Sequence, residues 1–157
     1  MDTYEPFELS DKPLRVAELA ASLPVSHVGA FVSFEGRVRD TNESRTVVGL
    51  EYEAYLKLSL AEGNTILREA QANVIAARCV HRVGRLVVGE VAIWIGVTAT
   101  HREEAFRTCR YIIDEVKRRV PIWKKEHYRD GSSEWIGLGD SRASERSPTP
   151  APFTRRS

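Results

Sequence analysis

Cysteine is scarce in this chain of 157 residues, with only Cys79 and Cys109, far apart and in no CxxC or metal-ligand spacing. A redox pair or a zinc site is therefore not expected, and both read as small buried hydrophobes of a reducing compartment. No apolar run approaches the roughly 20 residues that a bilayer span requires. The acidic opening Met1-Asp-Thr-Tyr-Glu-Pro6 lacks the basic and apolar regions of a signal peptide. The expected location is the cytoplasm, with no membrane partner. Charge of either sign is not in excess: the formal net charge is +1, so the total gives no long-range attraction to nucleic acid. Also missing are GxGxxG after a strand, GxxxxGK[ST], HExxH and GxSxG, which leaves no sign of a nucleotide cofactor, a zinc hydrolase or a serine nucleophile. The four histidines, His27, His81, His101 and His127, are dispersed without ligand spacing, so neither a metal nor a cofactor is expected.

What is present suits one soluble α+β domain. At 42% hydrophobic and 29% charged residues the chain can bury a core without staples. Residues 1–12 read as a loose lead. Leu14 to Leu23 has helical spacing and stops at Pro24. Val28 to Val38 alternates, with Ala30, Val32, Phe34 and Val38 on one face, and Asp40 to Arg45 reads as a loop. Val47 to Tyr55 alternates again. Leu56 to Arg78 reads as a helix despite Gly63. Val80 to Val88 and Val91 to Ala99 follow as strands, the second apolar on both faces and so expected to be central and covered. Thr100-His-Arg-Glu103 has the pattern of a capping box opening a helix that Pro121 ends. Ile122 to Tyr128 and Glu134 to Leu138 flank a turn at Asp130-Gly131-Ser132. The expected order is αββαββαββ over residues 1–139, with 140–157 a disordered tail rich in Ser, Arg, Pro and Thr.

The basic residues carry the functional signal. Lys117, Arg118, Arg119, Lys124 and Lys125 put five positive charges into nine residues. Lys117 projects at the edge of the buried arc of its helix, where a packed stem and a partly dry amine would lower its pKa toward use in proton transfer. Arg39 ends a strand, and His101 and Arg102 occupy the first turn of a helix, where backbone N–H groups already favour an anion. Singly, each has an ordinary explanation as a solvated or helix-end charge; as a set they suggest an anion site.

Four stretches carry a family resemblance. They are Val28-Gly-Ala-Phe-Val-Ser-Phe-Glu-Gly-Arg-Val-Arg39-Asp-Thr-Asn42, His81-Arg-Val-Gly84-Arg-Leu-Val-Val-Gly89-Glu90, Val97-Thr-Ala-Thr-His101-Arg102-Glu-Glu-Ala-Phe106, and Ile113-Asp-Glu-Val-Lys117-Arg-Arg-Val-Pro121-Ile-Trp123-Lys124-Lys-Glu126 with Gly131-Ser-Ser-Glu-Trp135. In this order, across residues 28–138, the chain resembles the large, catalytic subunit family of molybdopterin synthase. The resemblance implies an α/β hammerhead-type fold with a mixed or antiparallel sheet, and a homodimer core of a heterotetramer with a small ubiquitin-like subunit at each end. It implies a sulfurtransferase: the thiocarboxylated Gly-Gly tail of the small subunit would deliver two sulfurs to cyclic pyranopterin monophosphate, forming the dithiolene of molybdopterin. By position, the catalytic lysines fall on Lys117 and Lys124, the anion- and tail-binding residues on Arg39, His101 and Arg102, and a pocket-lining residue on Phe34. Lys117 is assigned acid/base or direct action at the thiocarboxylate and Lys124 charge stabilisation, with the two roles exchangeable. Arg142 is a candidate for a basic residue supplied across the dimer. Two other classes compete: a nucleic-acid module using residues 117–125 with Trp123 and Tyr128 as stacking platforms, and a non-catalytic scaffold for the ubiquitin-like partner.

Overall fold

The computed structural model, which describes residues 5–137, opens with a strand that the hydrophobic pattern does not announce. Strand β1 (Phe7–Ser10) lies in the segment expected as a loose lead and pairs in parallel with β5 (Ala76–Arg82). Four residues are too few for a period of two to register. Phe7 holds the strand in place, fully buried against α2 (Leu56–Ala70). Gly63 of that helix makes the seat, since a Cβ there would lie 2.1 Å from the Phe7 ring.

Helix α1 (Val16–Ala21) is shorter than its apolar spacing suggests, but Leu14, Leu19, Ala20 and Leu23 pack together around the buried Trp94. Strand β2 (Ala30–Arg37) follows, with a bulge between Gly36 and Arg37. Beyond that bulge Val38 leaves the face of Val32 and joins a separate cluster with Leu50, Leu86 and Ala92, contrary to the simple alternation. The expected loop at 40–45 is largely a hairpin of β3 (Thr41–Asn42) and β4 (Arg45–Ala54). Its two turn residues, Glu43 (φ 48°) and Ser44 (φ 65°), are both left-handed. That geometry usually advertises itself through Asn-Gly, which is absent here.

Helix α2 ends at Ala70, not at Arg78. A 3-10 turn, Gln71–Asn73, follows it, and Ala76 to Arg78 belong to β5. Alanine's helix propensity favours a longer helix, but burial on both faces of β5 overrides it. The single strand expected over Val80 to Val88 is two. Gly84, at φ 87°, turns the chain out of β5 into β6 (Gly84–Val87), which pairs with β4. Strand β7 (Val91–Ala99) is central and covered, as its two apolar faces predict. Helix α3 (Arg102–Arg119) returns across β7 and β2 and stops at Val120, extended at ψ 124° ahead of Pro121. The chain closes with the expected hairpin, β8 (Ile122–Tyr128) and β9 (Ser133–Gly137).

The strands form two sheets. The first runs β1-β5-β7-β2, antiparallel apart from β1 with β5. The second is built on β4, which carries β3 and β6 along one side and β8 then β9 along the other. The main core lies between the first sheet and α2 with α3, and includes Ile66, Ile95, Val97, Ile112 and Val116. The α+β class stands as expected; the tail at 140–157, the boundary at 139 and Arg142 lie outside the described residues.

Candidate active site

The antiparallel return of α3 determines where Lys117 falls. Fifteen positions separate it from Arg102, about 22 Å of helix. At about 3.3 Å per strand residue, that return ends level with Ile93 of β7, which pairs with His81 of β5. The end of α3 is clamped. Arg119 donates to Glu62 at 2.8 Å and to Glu69 at 2.7 and 3.2 Å on α2. The Pro121 carbonyl accepts from the Tyr55 N–H and the Ser59 hydroxyl, both at 3.2 Å. The chain then enters β8, which sets Lys124 opposite Tyr52 of β4.

Three of the cations named from sequence meet here. The Lys117 amine is held below the usual lysine range, first by burial, then by the charges of Lys124 and Arg39, with Asp114 opposing. Its outer surface nevertheless remains open to solvent. Arg39 is set by the backbone of Val38, whose N–H donates to Glu90 at 3.0 Å and whose carbonyl accepts from Gly89 at 2.8 Å. Lys124 is half-buried, with its Nζ 3.3 Å from Glu126.

Beneath the lysines lies a polar floor. Glu126 is only 3% exposed. Asn42 Nδ2 donates to its two oxygens at 3.2 and 2.9 Å, and the Tyr128 hydroxyl donates at 3.1 Å. Burial, then the Glu126 charge, pushes the Tyr52 phenol up to about 12. The Tyr52 ring meets His81 edge-on at 4.9 Å. Burial lowers His81 to about 4, the Arg82 carbonyl opposes that shift, and the Lys117 charge adds to it. Three cations over one buried carboxylate give a site that favours anions and contains an amine disposed to release its proton.

Other candidates sit elsewhere. His101 is the N-cap of α3 and Arg102 its first residue, both exposed and at the opposite end of the helix from Lys117. The Thr100 to Glu103 capping box does not form: the helix starts one residue later than that pattern requires, and His101 makes no side-chain cap. Phe34 is 36% exposed on β2, its ring leaning along the strand toward Gly36. Both cysteines are buried, and burial pushes Cys109 up to about 11 and Cys79 higher still, which makes both poor nucleophiles. The basic run is largely engaged. Arg118 bonds Glu115 at 2.6 Å while Arg119 holds α2. Trp123 and Tyr128 lie on opposite faces of β8, and Tyr128 is buried under the Arg45 guanidinium, so they form no common stacking surface. An aromatic recess of about 310 Å³ lined by Glu53, Tyr55, Trp123 and Trp135 opens on the face of β8 away from Lys124. Among the described residues no group of His, Cys, Asp or Glu is placed to hold a metal, and no helix is long and apolar enough to cross a membrane.

Residues 9–119 match the family model described as MoaE protein. The chain belongs to the MoaE protein family. It is 40% identical over 136 residues to the molybdopterin synthase catalytic subunit of a Nostoc species, covering 85% of this chain and 82% of that one. Molybdopterin synthase catalytic subunit 1 of Mycobacterium tuberculosis is 39% identical, with 85% and 92% covered. Among solved structures, molybdopterin synthase from Staphylococcus aureus superposes with a TM-score of 0.79 at 32% identity, covering 86% of this chain and 99% of that one. A Helicobacter pylori structure, a complex of subunits 1 and 2 of molybdopterin-converting factor, shares the fold with a TM-score of 0.67 at 20% identity, covering 86% and 91%.

Within this MoaE-family chain, sequence reasoning missed Tyr52, His81, Glu126 and Asn42. A signal existed for Glu126: it shares a strand face with Ile122 and Tyr128, so a carboxylate there faces inward, two residues from Lys124. Asn42 gave none, since the hairpin that aims it has no turn signature.

Proposed function

We propose that this chain, as a molybdopterin synthase catalytic subunit in molybdenum cofactor biosynthesis, is a cytoplasmic sulfurtransferase. It takes sulfur from the thiocarboxylated C-terminus of a small ubiquitin-like subunit and builds the dithiolene on cyclic pyranopterin monophosphate. The convergence of Arg39, Lys117 and Lys124 carries this reading. Both the phosphate of the pterin and the thiocarboxylate are anions, and neither is held well without fixed positive charge. Each transfer replaces one carbon–oxygen bond of the pterin by a carbon–sulfur bond, the oxygen leaving protonated or with the phosphate, and breaks one acyl–sulfur bond on the carrier, to which water adds to leave a carboxylate. Lys117, its proton loosened by burial and by two neighbouring cations, serves proton transfer at the sulfur-bearing carbonyl. Lys124, fixed by Glu126, stabilises negative charge beside it.

The distance along α3 bears on the assembly. About 22 Å separates Arg102 from Lys117 along the helix axis. His101 and Arg102 share a pterin with Lys117 only if a second copy supplies them, which fits a homodimer core with a small subunit on each half. Phe34 of β2, paired with Ile95 of β7 two residues from Ile93, lines the route of the carrier tail. The engaged Arg118 and Arg119 and the split placement of Trp123 and Tyr128 count against the nucleic-acid module. Reconstitution tests the proposal: this chain, a thiocarboxylated small subunit and cyclic pyranopterin monophosphate, with the pterin product read by fluorescence after oxidation. Dithiolene is expected only when all three are present. Partner binding without product would favour a scaffold.

A further inference from the structure

Asn42 has no part in the sulfur-transfer scheme, yet its side chain reaches the centre of the polar floor. The pair that closes the β3–β4 hairpin is Asn42 and Arg45, and both converge on the Glu126 carboxylate. Asn42 Nδ2 lies 3.2 Å from Oε1 and 2.9 Å from Oε2. Arg45 acts at one remove: its guanidinium lies 3.5 Å over the Tyr128 ring, and the Tyr128 hydroxyl donates to Oε2 at 3.1 Å. Oε2 thus has two close donors. Oε1 has only the longer leg of the asparagine contact and stays open to Lys124, whose Nζ lies 3.3 Å away. The turn that brings Asn42 here is strained, because Glu43 (φ 48°) and Ser44 (φ 65°) both hold left-handed geometry without a glycine.

We propose that Asn42 is a positioning residue for Lys124, acting through Glu126: its amide stops the carboxylate from turning and presents Oε1 to the lysine ammonium. The last torsion of a glutamate is soft. Tyr128 alone would fix one oxygen and let the other swing; Asn42 reaches both and removes that freedom. The residue type follows from the same geometry. An aspartate would repel Glu126, and a lysine or arginine would compete with Lys124 for its charge. A neutral amide orients the carboxylate and leaves its charge to Lys124. The base of the hairpin keeps the amide in register, with the Val47 N–H donating to the Asp40 carbonyl at 2.8 Å and the Arg129 N–H to the Thr46 carbonyl at 3.0 Å. The consequence for turnover rests on the charge-stabilising role proposed for Lys124; the geometric role does not.

Asn42→Ala, alone and combined with Glu126→Gln, separates positioning from mere support. The hold on Lys124 is read in the full chain from its rate of acetylation by acetic anhydride relative to the neighbouring Lys125, by peptide mass spectrometry. An amine released from its carboxylate reacts faster, so Asn42→Ala is expected to raise that ratio about threefold. In the reconstituted reaction it is expected to lower kcat about fivefold, with KM changed less than about twofold. In the Glu126→Gln chain, where the carboxylate is already gone, adding Asn42→Ala should change kcat less than about twofold. A merely structural asparagine would lower Tm and leave both the acetylation ratio and the kcat of the folded chain as they are. An unchanged ratio, an unchanged kcat, or losses that multiply in the double variant overturn the assignment. Should the alanine chain not fold, NMR of the wild type decides. The assignment requires an Asn42 side-chain amide proton that is shifted downfield and exchanges slowly; a freely exchanging amide overturns it. Absence of dithiolene from the wild-type reconstitution would instead refute the sulfur-transfer reading and leave the acetylation and NMR results standing.

Discussion

Replacing Glu126 by glutamine keeps the shape of a buried side chain and removes its charge and one accepting oxygen. In the wild type Asn42 Nδ2 donates to both carboxylate oxygens, the Tyr128 hydroxyl donates to Oε2, and Lys124 Nζ lies 3.3 Å from Oε1. A carboxylate accepts all of these. An amide turned one way sets its NH2 against Lys124 and Asn42; turned the other way, against Asn42 and Tyr128. In either orientation a buried donor loses its acceptor, at about 1–3 kcal/mol. Lys124 is 32% exposed, so the lost ion pair, screened by solvent, adds about 1 kcal/mol at most. The sum, about 1–4 kcal/mol, corresponds to a fall of roughly 3–15 °C in Tm for a chain of this size. With its anchor gone, Lys124 samples several rotamers, and kcat should drop about tenfold while KM moves less. The Tyr52 phenol should titrate below its wild-type value of about 12, because the Glu126 charge is one of the two causes raising it. Calorimetry, reconstituted turnover and ultraviolet titration read the three effects. A Tm within about 2 °C of the wild type together with turnover within about twofold would refute the reasoning.

Gly63→Ala should destabilise the protein by about 3 kcal/mol, seen as a lower urea midpoint at unchanged slope, because the new Cβ would sit 2.1 Å from the Phe7 ring. His81 should make stability pH-dependent. Its folded value, about 4, lies below the unfolded 6.5, so the unfolded chain binds the proton first as pH falls. Stability is then lost progressively between pH 6.5 and 4, up to about 3 kcal/mol, and His81→Gln should flatten that slope in urea titrations across the window. Chains carrying Arg102→Ala and chains carrying Lys117→Ala should each be inactive alone but recover part of the activity when refolded together, because the mixed dimer contains one intact shared site. No recovery in a demonstrated mixed dimer would refute a site shared between two copies.

How far the sequence reached depended on how local each cause was. Helix α3 was legible from its apolar arc and from Pro121, both within one element, and so were the two-faced strand β7 and the turn at Asp130-Gly131-Ser132. Strand β1 was not, because it exists through a long-range seat on Gly63. The end of α2 was misplaced because Ala76 and Ala77 favour helix in isolation and become strand only when covered on both faces. The same division holds at the site. Lys117 and Lys124 could be singled out by helix phase and charge density, and Arg39 by its strand end. The polar floor could not, since Asn42, Tyr52, His81 and Glu126 come from four different strands of two sheets and meet only through strand pairing and the ring contact between the sheets. His101 and Arg102 were chosen for a local feature, the helix start, and within one chain that feature lies far from Lys117.

The most direct test of the central claim is turnover by Lys117→Ala in the three-component reconstitution, with dimerisation and small-subunit binding measured on the same preparation. Lys117 lies at the exposed end of α3, so assembly should survive the substitution. Intact assembly with no detectable dithiolene is the predicted result. Near-normal turnover would contradict the account, because the amine whose proton is loosened by burial and by the charges of Lys124 and Arg39 would then not be the group that does the chemistry.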